Sequence, residues 1–229
     1  MILNLPTVML FWVNESLGSL SNIAVYGLLL LYYFLNNGGK TNIWMLILGI
    51  SYYTISGLNF EYCSDQDYYF FSFIKYIIFI VCGSRFVAHV SKLELTIFLL
   101  LGALSIIIHA LFFSDTYGRY SGLYINPNAA SFIAIIGYAL TYSLQNKYFK
   151  IFSQIIFSIG GIITFSRTFI IIWILVNLLS LRISIKNIRI LAVGAALFVA
   201  LITFGEIFKL NTIRLKQFSS IINNEEGAV

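Results

Sequence analysis

The sequence predicts an all-helical, polytopic integral membrane protein with about eight transmembrane spans, and two observations support this fold class. First, 59% of its 229 residues are hydrophobic and only 10% are charged, whereas soluble domains carry about a quarter charged residues. Second, the apolar residues form long unbroken runs such as Leu95–Phe113. Only helices and closed barrels satisfy backbone polar groups within a bilayer, and barrel strands alternate apolar with polar positions. We therefore expect a bundle of membrane helices.

A helix needs about 20 mostly apolar residues to cross the hydrocarbon core of a bilayer. By this criterion the predicted spans are Gly18–Leu35, Ile43–Phe60, Tyr69–Val87, Leu93–Phe113, Ala129–Leu144, Phe149–Phe165, Thr168–Leu181 and Ile188–Phe208. Residues 1–208 are thus predicted to form one transmembrane domain, and the polar residues 209–229 to begin an outward loop that is cut short. The apolar segment Met1–Val13 is too short to assign, and it lacks the charged start of a signal peptide.

The loops between these spans alternate in charge, and the side that collects Lys and Arg is normally cytoplasmic. The basic set, predicted to be cytoplasmic, holds Lys40, Arg85, Lys92, Lys147, Lys150, Arg182, Lys186 and Arg189. The other set, predicted to face outward, holds Glu61, Asp65, Asp67, Asp115, Arg119, Arg167 and the residues after Phe208. The net charge of +5 is spread over these loops rather than gathered on one face, so no nucleic-acid partner is expected.

The stretch from Arg119 to Asn128 follows the outward end of the fourth predicted span. Pro127 cannot continue a preceding helix and therefore favours a helix start, with Asn126 as its cap. An arginine beside the exposed N–H groups of a helix N-terminus makes a good phosphate site. The competing interpretation is a plain loop arginine followed by a turn and a cap, and spacing alone favours that interpretation.

A second candidate is Thr164-Phe-Ser-Arg167, at the outward junction of two predicted spans. Arg167 would lie at the membrane boundary, where ionisable groups are costly and often functional, although an arginine there also snorkels to anchor a helix end. Arg119 and Arg167 both oppose the charge bias of the outward face, which favours an anionic ligand. His109, near the outward end of its helix, is either a proton carrier or a packed side chain.

These residues together resemble a known superfamily. An outward arginine, then Ser-Gly, then Asn-Pro-Asn entering a helix, followed by Thr-x-Ser-Arg at an outward junction, resembles the O-antigen ligase and O-antigen polymerase superfamily. The resemblance covers about Arg119 to Leu181, and the earlier spans match only as generic helices. It implies a GT-C-like glycosyltransferase membrane domain acting at the periplasmic face of the bacterial inner membrane. No cofactor, metal or nucleotide is expected, and the sequence has no Walker, Rossmann or zinc-ligand motif.

The resemblance also implies the substrate. The donor would be an undecaprenyl-pyrophosphate-linked oligosaccharide, which a polymerase passes to another lipid-linked repeat unit and a ligase passes to lipid A core. The Ile-, Asn-, Phe- and Tyr-rich composition favours the polymerase. A flippase of lipid-linked oligosaccharide and a non-catalytic membrane scaffold are the competing hypotheses. The expected partners are this glycan, membrane lipids and a chain-length regulator.

The implied site residues follow from the same motifs. The residues expected to hold the pyrophosphate are Arg119, Asn126, Asn128, Ser166 and Arg167, with Arg214, His109 and Tyr120 as weaker candidates. The general base is not assigned, and the resemblance leads us to expect it beyond Val229. Neutralisation of the pyrophosphate leaving group by arginine would be electrostatic stabilisation of developing charge.

Overall fold

A computed structural model describes residues 3–37, 40–58, 66–113 and 119–183, with isolated helical positions at 192, 195, 196 and 199. All regular secondary structure in these residues is helical, as predicted. The α-helices are α1 (Leu5–Trp12), α2 (Glu15–Leu35), α3 (Ile43–Leu58), α4 (Gln66–His89), α5 (Lys92–Phe112), α6 (Pro127–Thr141), α7 (Lys147–Ile163) and α8 (Arg167–Ile183). A 3₁₀ turn, Gly122–Tyr124, precedes α6.

Asparagine side chains start three of these helices. Asn14 caps α2, Asn146 caps α7, and Asn126 caps α6 by accepting the backbone N–H of Asn128 at 2.8 Å. Each cap satisfies a backbone donor that the first turn of a helix leaves without an intrahelical partner. Pro127 is the first residue of α6, where its missing N–H costs nothing. The predicted helix start at Asn126 and Pro127 is therefore confirmed.

Three of the described helices, α2, α4 and α5, are long and apolar enough to cross a membrane. Shorter apolar helices are Ile43–Leu58, Pro127–Thr141 and Arg167–Leu181. The 15 residues of α6 span only about 22 Å at ~1.5 Å per residue, against a hydrocarbon core of about 30 Å. The described part of the chain thus has the character of a helical membrane protein, but three of its helices, and not the predicted eight, are long enough to be candidate spans.

Two sequence predictions lie outside the described residues. The eighth predicted span, Ile188–Phe208, is described only at its isolated helical positions 192, 195, 196 and 199. The predicted outward loop, residues 209–229, falls wholly outside, and Arg214 with it.

One compact unit, Met9–Ser91, contains α2, α3 and α4. Within it, α4 packs against both α2 and α3. Arg85 on α4 closes the end of α2, because its Nη1 donates to the carbonyls of Tyr33 at 2.8 Å and Asn36 at 3.2 Å. The guanidinium carbon also lies 3.7 Å from the centroid of the Tyr33 ring. Arg85 is thus a cap for the carbonyl groups that the last turn of α2 leaves without intrahelical donors.

The second unit comprises Ile2–Val8 and Lys92–Val229, and its described helices include α5, α6, α7 and α8. α5, α6 and α7 pack against one another, and α8 packs on α6 and α7. Gly137 and Gly161 permit this approach, since a Cβ at either position would overlap the ring of Phe157 or Phe169. The buried core side chains are Leu99, Leu100, Ala103, Ala134, Ile135, Tyr138, Phe157, Ile162, Phe169 and Trp173.

Large apolar side chains also cover the outer surface of the helices. Phe34 is 79% exposed, Trp44 81% and Leu58 82%. Soluble monomers rarely expose contiguous apolar patches of more than a few hundred Å², and here exposed apolar residues recur along α2, α3, α4 and α5. These apolar helices identify a membrane-associated protein.

Candidate functional site

The segment that carries Arg119 lies against one face of α5. The backbone N–H of Gly122 donates to Nδ1 of His109 at 3.2 Å, and that of Leu123 donates to Oγ of Ser105 at 3.2 Å. Gly122 has a φ of +56°, and a Cβ there would lie 2.5 Å from Oγ of Ser105 and 2.7 Å from the backbone nitrogen of Ile106. Only glycine combines this backbone conformation with so close an approach to α5.

Two tyrosines of this segment are buried beside α5. The ring of Tyr120 meets that of His109 edge-on, with centroids 5.4 Å apart. Burial raises the pKa of Tyr124 to about 12, so its hydroxyl stays protonated at neutral pH and is unsuited to act as a base. Both rings belong to a buried cluster that also contains Ile106, Ala130, Ile163 and Phe165.

Arg119 is buried, with 9% of its surface exposed, and it joins α6 to α7. Its Nε donates to the carbonyl of Thr164 at 3.0 Å, and its Nη2 donates to Oδ1 of Asn128 at 2.9 Å. Thr164 directly follows α7, and Asn128 is the second residue of α6. One guanidinium therefore holds the C-terminal end of α7 beside the N-terminal end of α6.

The junction between α7 and α8 is tight and internally bonded. Oγ1 of Thr164 donates to the carbonyl of Gly161 at 2.6 Å and accepts the backbone N–H of Ser166 at 3.3 Å. Oγ of Ser166 in turn accepts the backbone N–H of Phe169 at 3.4 Å, which caps the start of α8. Arg167 is the first residue of α8 and is exposed.

Two non-glycine residues, one on each side of this pair of helix ends in the sequence, have a positive φ. Ile125 has a φ of 61° and Phe165 a φ of 51°. Such conformations cost of order 1–3 kcal/mol and persist only where the surrounding structure imposes them. Ile125 precedes the cap of α6 and Phe165 lies within the α7–α8 junction, so the backbone is strained next to both elements that Arg119 bonds.

We call this region the Arg119 end: the C-terminal ends of α5 and α7, the N-terminal ends of α6 and α8, and residues 119–126. It carries two arginines, the partial positive charge of two helix N-termini and the partial negative charge of two helix C-termini. A guanidinium beside a helix N-terminus is a combination that proteins use to bind anions. Among the described residues, no group of three or more His, Cys, Asp or Glu side chains could hold a metal ion.

The structure brings most of the predicted site residues to this end. Arg119 contacts Asn128, Asn126 caps the same helix, and Ser166 and Arg167 start α8 next to Thr164. The rings of His109 and Tyr120 contact each other. Neither side chain is a partner in the hydrogen bonds from Arg119 to Asn128 and Thr164. Arg214 lies outside the described residues.

Sequence reasoning missed two groups that shape the site. The carbonyl of Thr164 is the partner of the Arg119 Nε, and Ser105 anchors Leu123. A signal for the first existed, because carbonyls at helix C-termini lack intrahelical donors and attract basic side chains. For Ser105 there was no such signal, because a single serine within an apolar helix does not indicate which group its hydroxyl will bond.

Comparison with known proteins gives no further guide. No protein-family model, no curated protein and no solved structure matches this chain.

Proposed function

We propose that this chain is a bacterial membrane glycosyltransferase that polymerises undecaprenyl-pyrophosphate-linked repeat units of a surface polysaccharide. The observation that supports the proposal is the placement of Arg119. Its buried guanidinium bonds Asn128 in the first turn of α6 and the carbonyl of Thr164, in the short junction that ends at Arg167. The two motifs that carry the sequence resemblance thus meet in space, although 45 residues separate the bonded pair Arg119 and Thr164.

The charges at the Arg119 end suit a diphosphate. The N-termini of α6 and α8 each contribute partial positive charge. Arg119 is fixed by two hydrogen bonds, whereas Arg167 is exposed at the start of α8. We assign Arg167 to direct contact with the substrate phosphates and Arg119 to holding the two helix ends while adding its charge. Such preorganised charge favours a transition state in which the diphosphate becomes the leaving group.

The proposal includes an orientation. The Arg119 end would face the periplasm, since Lys147 and Lys150 lie at the other end of α7 and mark a cytoplasmic side. We further propose that the shorter helices α3, α6, α7 and α8 cross the inner membrane with α2, α4 and α5, as in a GT-C-like domain. Helices shorter than the hydrocarbon core are accommodated by local thinning of the bilayer.

The direct test is chain length in a strain that lacks the native gene. Arg119→Ala and Arg167→Ala are both expected to abolish long-chain polysaccharide, and for Arg167→Ala the membrane level of the protein should stay normal. The matched control is Arg85→Ala, because Arg85 also bonds helix-terminal carbonyls but is not part of the Arg119 end. Wild-type chain length in both Arg119→Ala and Arg167→Ala would end the proposal. If Arg85→Ala lost as much long-chain polysaccharide, the loss in the other two variants would be explained by missing helix caps rather than by a phosphate site.

The same strain separates the neighbouring activities. Loss of a polymerase leaves a single repeat unit on the acceptor, loss of a flippase leaves none, and loss of a ligase leaves long chains on the lipid carrier. We expect the first pattern.

A further inference from the structure

His109 lies on the last turn of α5 and holds the segment that carries Arg119. Its Nδ1 accepts the backbone N–H of Gly122, and its ring packs edge-on against Tyr120, the neighbour of Arg119 in the chain. The next backbone N–H, of Leu123, is held by Ser105 one turn earlier on α5. The backbone that follows Arg119 is therefore fixed on α5 by two consecutive hydrogen bonds.

The bond to Gly122 defines the protonation state of the His109 ring. A backbone N–H only donates, so Nδ1 must present its lone pair and the ring proton must reside on Nε2. The segment has little room to shift towards another acceptor on α5. The Cα of Gly122 is so close to α5 that even a Cβ would lie 2.7 Å from the backbone nitrogen of Ile106.

We propose that His109 is a positioning residue for Arg119: as the Nε2–H tautomer, it fixes the 120–123 segment on α5 so that the guanidinium reaches Asn128 and Thr164. It acts through the backbone and does not contact substrate. This role of His109 deepens the proposed function. Only the measurement of pyrophosphate affinity depends on that function being correct. Of the two roles that the sequence left open for His109, it agrees with a packed side chain rather than with a proton carrier.

The second histidine provides an internal comparison. Nδ1 of His89 lies 2.9 Å from the backbone carbonyl of Arg85. A carbonyl only accepts, so this Nδ1 must carry a proton. The chain has only these two histidines, and their backbone partners require opposite states at the same ring atom.

The first experiment observes the tautomer directly. The full chain, with ring-¹⁵N-labelled histidine, is placed in lipid bilayers at about pH 8, above the ordinary histidine pKa of ~6.5. His89→Gln assigns the two ring signals. We expect Nδ1 of His109 to be an unprotonated nitrogen and Nε2 to carry the proton. A protonated Nδ1 on His109 would overturn the proposal, whatever the protein does in the cell.

The second experiment changes the position of the atom that accepts the Gly122 N–H. His109→Asn keeps an oxygen near the position of Nδ1, whereas His109→Gln places one near Nε2. We expect the Gly122 amide of the Gln variant to exchange with solvent about tenfold faster than in wild type, and its affinity for inorganic pyrophosphate to fall by a similar factor. The Asn variant should stay within about twofold of wild type for both.

Both results are decisive. If Gln preserves both properties as well as Asn does, or if Asn loses as much as Gln, the position of the acceptor is irrelevant and the proposal is wrong. If the wild-type protein binds no pyrophosphate, the proposed function fails, while Gly122 exchange and the ¹⁵N signals still decide the role of His109.

Discussion

At the scale of single residues, the two arginines of the Arg119 end differ in burial. Arg119 is buried and bonds two groups from different helices, whereas Arg167 is exposed. A guanidinium offers its donors in a planar fork, and an ammonium on a flexible stem does not. The same Arg→Lys change should therefore act on stability at one position and much less at the other.

We expect Arg119→Lys to lower the free energy of unfolding by about 1–3 kcal/mol, because one ammonium cannot replace both hydrogen bonds of the fork. Arg167→Lys should change it by no more than about 0.5 kcal/mol, as is usual for exposed positions. Thermal unfolding of the purified protein in one detergent gives both values. Equal stability of the two variants would show that Arg119 does not hold the helix ends together.

Gly122 supports a second prediction at this scale. Gly122→Ala puts a Cβ into the backbone of α5 and imposes a positive φ on an alanine; the φ alone costs roughly 1–2 kcal/mol. The matched control is Gly83→Ala in α4, where no atom lies within 4 Å of the new Cβ and the change should remain within about 1 kcal/mol of wild type. If both variants unfold at the wild-type temperature, the Gly122 contact with α5 is not formed.

Sequence rules predicted the local features of the site and not its contacts. The start of α6 at Asn126 and Pro127 follows from capping and from proline geometry, which involve only neighbouring residues. The bond from Arg119 to the Thr164 carbonyl depends on how α6 and α7 pack, so no local pattern specifies it. The positive φ of Phe165 was unpredictable for another reason, because residues with a Cβ rarely adopt it.

At the scale of helices, α7 presents polar side chains to the interior of the second unit. Ser158 accepts a hydrogen bond from Nε1 of Trp173 at 3.0 Å. Gln154, one turn earlier, is 0% exposed, and neither its Oε1 nor its Nε2 has a hydrogen-bond partner in the described part of the chain. Asn177 on α8 is the opposite case, since Oδ1 accepts from Tyr138 at 2.6 Å and Nδ2 donates to the Trp173 carbonyl.

This contrast predicts opposite signs for two similar substitutions. Gln154→Met removes buried polar atoms without breaking a bond, so it should raise the free energy of unfolding by about 1–2 kcal/mol. Asn177→Leu removes two hydrogen bonds and leaves the Tyr138 hydroxyl with its longer contact to the Tyr142 hydroxyl, at 3.4 Å, so it should lower that free energy by a similar amount. Thermal unfolding with and without lipid measures both. A destabilised Gln154→Met would mean that the Gln154 amide has a bonding partner in the bilayer.

The positions of the helices could largely be predicted from the sequence. Whether each helix is long enough to cross a membrane could not. The predicted span Leu93–Phe113 corresponds closely to α5, Lys92–Phe112, because an apolar run bounded by charge defines both ends. The predicted span Ala129–Leu144 corresponds to α6, which ends at Thr141 with a turn that Tyr142 closes. Hydropathy shows where a helix lies but is a poor guide to where its last turn stops.

At the scale of the whole molecule, charge placement predicts the orientation that the proposed function requires. Within the second unit, α6 begins at the Arg119 end and α7 begins at the other, after the short turn that follows Thr141. Lys147 and Lys150 lie in the first turn of α7. If the positive-inside rule governs this chain, residues near the start of α6 face the periplasm and residues near the start of α7 face the cytoplasm.

Single cysteines test this orientation, in a background where Cys63 and Cys82 are alanine. Ile125→Cys and Tyr148→Cys use side chains that are exposed at the two ends, 37% and 86% respectively. A thiol reagent that crosses the outer but not the inner membrane should label Ile125→Cys in intact cells and Tyr148→Cys only after the inner membrane is opened. Labelling of Tyr148→Cys in intact cells, with Ile125→Cys protected, would place the Arg119 end in the cytoplasm. A periplasmic diphosphate could not then reach it.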